Sequence, residues 1–198
     1  MSFESHLADV WFENIKKLDD FNHLKHGEIY AGDGSVQNFQ INDNVVAARV
    51  EGAPGDFFNV KIKFKRLSAR DKGKLNKLIK DDPHLQSKIL NNTIPRELFE
   101  SNVKLIPDSL DDFKITCNCK NKGVFCKHAA AVLHYLSKEI HKNPLLTLTL
   151  RDYHVENLFE SNNGKIPTIN HLLAENREFV KHSEVDIDEI PLFSNDFK

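Results

Sequence analysis

The stretch Cys117-Asn118-Cys119-Lys120-Asn121-Lys122-Gly123-Val124-Phe125-Cys126-Lys127-His128-Ala129-Ala130-Ala131-Val132-Leu133-His134-Tyr135-Leu136 organises the whole chain. Its three cysteines are the only ones among 198 residues, and His128 lies beside them. Thiolate sulfur and neutral imidazole nitrogen suit tetrahedral Zn²⁺, and four such ligands leave no open position for water, the mark of a structural site. Cys117, Cys119, Cys126 and His128 therefore read as a Cys₃His set for one structural zinc. Disulfide pairing leaves one cysteine over, and the absence of a secretory signal points to a reducing compartment where thiols stay available to metal. A cysteine nucleophile with His128 as its base leaves two adjoining thiols unexplained. The tight Cys-x-Cys pair predicts an extended or hairpin segment, and the Cys-x-His pair predicts the opening of a helix. Ala129, Val132, Leu133, Leu136 and Ile140 recur at steps of three and four, so the helix is expected over residues 127–141, ending before Pro144.

Working upstream, residues 113–116 read as a short strand into the first ligand pair, with Pro107 marking the approach to it. Helices are expected at about 68–81, 83–91 and 95–101, the first capped by Ser68 with Asp71 three residues on. Three strands precede them. Val36, Phe39 and Ile41 lead into the turn Asn42-Asp43-Asn44, residues 45–50 return, and residues 57–64 follow the break Gly52-Ala53-Pro54-Gly55, which together predict an antiparallel meander. Leu7, Val10, Trp11, Ile15 and Leu18 mark a first amphipathic helix, with Trp11 as core, and a second short helix is expected to end at Gly27. The predicted class is α+β, an antiparallel β-meander with surrounding helices and a hairpin-plus-helix zinc finger in the C-terminal half. Three regions are expected: 1–104, α+β with a basic strand; 105–150, the finger; and 151–198, an acidic extension. Residues 145–150 fit a strand or a short helix equally well.

The net charge of −2 conceals an uneven distribution. The balance of Lys and Arg against Asp and Glu is −6 over residues 1–56, +7 over 57–104, +2 over 105–150 and −5 over 151–198. A basic middle between acidic ends is compatible with a polyanionic partner. Lys61, Lys63 and Lys65 alternate with Val60, Ile62 and Phe64, which places three ammoniums on one side of a sheet. Lysines on an edge strand also guard against sheet-to-sheet aggregation without any ligand. Lys120, Lys122 and Lys127 lie within or beside the zinc ligands. There they relieve the net negative charge of three thiolates around Zn²⁺ and offer contacts to phosphates.

The ligand spacing and the alanine-rich helix that follows resemble the SWIM zinc finger, nearly position by position from Cys117 to Leu136. The resemblance extends more weakly over roughly residues 8–150, through Trp11 in its helix, the segment from His23 to Ile41, the segment from Val46 to Gly52, and Leu105-Ile106-Pro107. It departs where members of the family frequently carry Arg-Gly and this chain has His26-Gly27. The resemblance implies a nucleic-acid-binding or protein-interaction module, of the kind found with Swi/Snf-family ATPases, Mutator-type transposases, some ubiquitin ligases and recombination mediators. The expected function is a zinc-binding accessory that contacts the phosphate backbone of DNA or RNA beside a helicase-like ATPase or recombination machine. The alternative is a protein-interaction adaptor with a purely structural zinc.

No phosphate-binding Gly-x-x-x-x-Gly-Lys loop, Gly-x-Gly-x-x-Gly turn or Gly-x-Ser-x-Gly nucleophile elbow occurs, so no enzymatic activity is expected. The pairs Asp81-Asp82 and Asp111-Asp112 read as caps or solvated turn residues, and His23, His26 and His134 as ordinary surface or core histidines. No apolar run reaches the roughly 18 residues a membrane helix requires, and a cytoplasmic protein is expected. Beyond residue 150 a loop at Asn162-Asn163-Gly164, a helix around Leu172 and Leu173, and an acidic strip over residues 183–190 are expected. That strip has the charge to fold back over the lysine strand as an autoinhibitory segment.

Overall fold

A computed structural model describes residues 7–18, 23–121 and 125–160. The loop, helix and acidic strip expected beyond residue 160, and Lys122, lie outside these residues.

Apolar alternation builds the sheet. Strands β1 (Val36–Asn42), β2 (Val45–Glu51), β3 (Phe57–Phe64) and β4 (Phe113–Cys117) pair antiparallel in the order β1-β2-β3-β4. The first three form the predicted meander. The turn between β1 and β2 places Asp43 at a φ of 48°, and buried Asn44 ties it to β3, its carbonyl accepting from Phe64 N at 2.7 Å. Register sends Val46, Ala48, Val50, Val60, Ile62, Phe64 and Phe113 to one face, where all are buried. In β1, Val36 and Ile41 are five residues apart yet both buried on that face, because a bulge between Gln37 and Gln40 resets the alternation, with Asn38 at a φ of 49°.

Helix α6 (Lys127–Lys142) lies on this inner face. It is covered from the other side by α1 (Leu7–Lys16) and α2 (His23–Gly32). Trp11 is fully buried with its ring 6.3 Å from Phe64, as expected of a core residue, whereas Val10 is exposed although the periodicity put it on the apolar stripe. Gly27 does not end a helix. It sits in the middle of α2, buried, where an added Cβ would come within 2.5 Å of the Ala130 backbone. Its missing side chain is what lets α2 and α6 approach so closely. The same approach buries Ala129, Ala130 and Ala131 together, so α6 is apolar well beyond its predicted stripe.

Helices α3 (Ala69–Asp81), α4 (Pro83–Leu90) and α5 (Arg96–Glu100) connect β3 to β4. Ser68 caps α3, its hydroxyl oxygen accepting from Asp71 N at 3.1 Å, and Asp82 caps α4 by accepting from His84 N at 2.8 Å. Residues 145–150 resolve as helix α7 (Leu146–Thr149), followed by α8 (Glu156–Glu160). Arg151, Tyr153, Val155 and Leu158 are buried, so the segment after residue 150 begins as part of the packed core. Among the described residues no helix is long and apolar enough to cross a membrane.

Asp112 is not a solvated turn residue. It is buried, accepts from Asp108 N at 3.0 Å and Ser109 N at 3.2 Å, receives the Lys104 ammonium at 2.7 Å, and faces the buried Arg151 guanidinium at 3.9 Å. Burial alone would raise its pKa. The Lys104 ammonium and the backbone and Ser109 donors outweigh that effect and hold it below the ordinary carboxylate value.

Candidate metal centre and basic face

The end of β4 and the start of α6 meet at the ligands. Cys117 pairs with Val60 on the inner face of the sheet, and the ladder continues past it, with Asn118 Oδ1 accepting from Asn59 N at 2.9 Å. The extended segment predicted for the first ligand pair is thus a strand end whose partner is β3. Cys126 is the N-cap of α6, its sulfur accepting from Ala129 N at 3.4 Å. His128 follows in the first helical turn.

One donor atom from each of Cys117, Cys119, Cys126 and His128 lies within 4.8 Å of every other. Zinc with sulfur at about 2.3 Å and nitrogen at about 2.0 Å separates its tetrahedral donors by roughly 3.5 to 3.8 Å. Cys117 Sγ and His128 Nδ1 are 3.9 Å apart, so the set needs little adjustment to close on the ion. His128 is buried, and its Nδ1 is the ring nitrogen turned to the thiols. These side chains fit a single structural zinc by donor chemistry and by spacing.

The thiols differ electrostatically. A hydrogen bond from Cys117 pushes Cys126 down to about 4 against the opposing effect of burial, with His128 and the Ala129 N–H adding to the shift. Cys117 moves up as the donor in that bond and by burial, and burial also raises Cys119. Of the three thiols, Cys126 is the one whose ionised form is favoured, and it caps the helix N-terminus, where the peptide dipoles favour negative charge. Cys117, Cys119, Cys126 and His128 would hold the ion, which would favour the thiolate form of all three cysteines.

Sequence reading missed the walls of the site. The Phe58 ring stacks on His128 at 3.9 Å and 14°, and Tyr30 meets the imidazole edge-on at 6.0 Å. A Cβ on Gly52 would come within 2.7 Å of the Phe58 ring. Phe58 signalled itself only as one more apolar residue in a strand, because its contact depends on α6 crossing the sheet. His134 stands apart from the metal. Its Nε2–H donates to the Leu24 carbonyl at 2.7 Å and its ring packs on Phe12, and burial lowers its pKa.

The outer face of the sheet carries the basic residues. Strand β3 is interior rather than an edge, so its lysines do not serve as an edge guard. Lys61 stands opposite Thr116 and Ala47, and Lys63 opposite Lys114 and Val45. Lys65 is exposed just past the end of β3. In the segment from Lys114 to Lys120 exposure alternates, with Lys114, Thr116, Asn118 and Lys120 exposed while Ile115, Cys117 and Cys119 are partly buried. Lys120 is exposed beyond the end of β4, in the bend between the ligands, and belongs to the finger rather than to the sheet. Lys127 does not join the sheet face either: its ammonium donates to the Tyr30 hydroxyl at 2.8 Å, beside α2. Lys114 and Arg49, both exposed on this face, escaped the sequence reading because only strand pairing brings them there.

A sheet and a helix joined by a Cys₃His centre define a zinc-finger protein. Residues 102–137 match the SWIM zinc finger family, so the finger of this chain is a SWIM finger holding a structural zinc. The chain is also similar to an uncharacterized protein of Mycobacterium tuberculosis, 23% identical over 161 residues, which cover 77% of this chain. The match spans 58% of that relative's length. No solved structure matches the chain.

Proposed function

We propose that this protein is a nucleic-acid-binding accessory module, its finger held by structural zinc, working beside a helicase-like ATPase or recombination machine rather than as a catalyst. The observation that supports it is the merging of two lysine groups distant in sequence. Lys61 and Lys63 share one sheet face with Lys114, while Lys65 is exposed just past the end of β3 and Lys120 is exposed in the finger beyond the end of β4. Such a face suits phosphates, which supply most non-specific affinity. The resemblance of the finger supplies the class of partner.

The test is binding of zinc-loaded protein to labelled DNA and RNA across a salt series. The logarithm of affinity is expected to fall linearly with the logarithm of salt concentration. Each of Lys63→Ala and Lys114→Ala should reduce the slope by about 0.9 on duplex DNA, the contribution of one phosphate contact. Zinc-loaded protein that binds no nucleic acid at low salt would instead make the module a protein-interaction adaptor, its basic face meeting an acidic partner.

A further inference from the structure

We propose that the outer face of the sheet is a platform for single-stranded nucleic acid, on which the Arg49–Phe57 pair receives an unstacked base and Lys61, Lys63 and Lys114 hold the phosphates. This deepens, and rests on, the nucleic-acid reading above.

Four consecutive outward positions of β3 are Phe57, Asn59, Lys61 and Lys63, because Phe58 between the first two is turned inward against His128. Arg49 stands opposite Asn59 and its guanidinium lies over the Phe57 ring, with Cζ 3.7 Å from the centroid. The face therefore has an aromatic and guanidinium end and an ammonium end. Outward residues of one strand are spaced by about 6.7 Å, so Phe57 and Lys63 are separated by roughly 20 Å, the reach of a few extended nucleotides. Lys114 faces Lys63 across the ladder and widens the cationic end.

The two ends distinguish the strandedness of the ligand. Lysines alone contact phosphates and are indifferent to whether the bases are paired. A planar guanidinium on an aromatic ring offers a π surface, which only an unstacked base can use. In a duplex the base faces are occupied by their neighbours, so that end of the platform contributes nothing to it.

The experiment compares full-length zinc-loaded protein on a labelled single-stranded 20-mer and on the corresponding duplex, at one salt concentration and then across a series. Single strands are expected to bind on the order of tenfold tighter than duplex, the value of about one stacked base. Phe57→Leu should weaken single-strand binding on the order of tenfold with its salt slope unchanged and duplex binding unaltered. Arg49→Lys keeps the charge and loses the planar stack, so it should act in the same direction, and it serves where Phe57→Leu compromises folding as judged by zinc content. Lys63→Ala with Lys114→Ala should lower the single-strand slope by about 1.4. Equal affinity for both ligands, with Phe57→Leu and Arg49→Lys silent and a salt slope still present, would overturn the platform and leave phosphate contact standing. Binding that responds to Lys120→Ala and Lys127→Ala but not to the sheet variants would move the contact to the finger and overturn it also. Absence of binding to either ligand would remove the nucleic-acid reading itself.

Discussion

His128 and Asp112 are both buried polar side chains, and they differ in how visible they are from sequence. His128 announced itself because metal spacing is local: two residues from Cys126 at a helix start is enough to identify it. Asp112 did not, because its partners Lys104 and Arg151 come from separate parts of the chain. Asp112→Asn removes the charge that both cations face and should destabilise the protein by about 3 kcal/mol at neutral pH, measured by denaturant unfolding. Its carboxyl is depressed in the folded state, so its stabilisation is complete above the ordinary value of 3.8 and is lost as pH falls through the lower folded value. The gap in stability between wild type and Asp112→Asn should therefore narrow as pH drops below 3.8. A gap unchanged down to pH 2 would show that the charge of Asp112 is not what stabilises the fold.

Among the elements, strands were more legible than helix contacts. Alternation placed β3 correctly because Val60, Ile62 and Phe64 face the core while Lys61 and Lys63 face outward, and β2 was legible as the return from the turn at residues 42–44, although its outward Ala47 is buried as well. The bulge at Gln37 to Gln40 was invisible, since a bulge is a property of pairing and not of one strand's composition. Helix α2 was cut short at Gly27 because glycine usually terminates helices, whereas here it serves a crossing with α6. Gly27→Ala would raise intrinsic helix propensity but drive a methyl group into backbone atoms of α6. The clash should win, lowering stability by about 2 kcal/mol, whereas Gly73→Ala, on an exposed stretch of α3 with no atom within 4 Å, should stabilise slightly. Thermal unfolding of the two variants side by side gives the comparison, and a stabilised Gly27→Ala protein would refute the close-crossing explanation.

For the whole molecule, zinc is the joint between sheet and helix. Cys117 belongs to β4 and Cys126 and His128 to the start of α6, the helix around which α1, α2 and the sheet pack. Structural zinc of this kind contributes on the order of 10 kcal/mol to the segment it organises. Cys119→Ser should therefore lose the metal, lower the unfolding midpoint and expose the amides of β4 and the first turn of α6 to hydrogen exchange. A Cys119→Ser protein that retains one zinc and the wild-type midpoint would remove Cys119 from the ligand set. The ligands, the meander and the finger helix are legible in the sequence, because ligand spacing and hydrophobic period act over a few residues. The aromatic walls around His128, the Gly27 crossing, the buried Asp112 and the single face shared by Lys61, Lys63 and Lys114 emerge only from strand pairing and helix packing. Each depends on which strand pairs with which and on the helix that lies across them, and no local pattern records those choices.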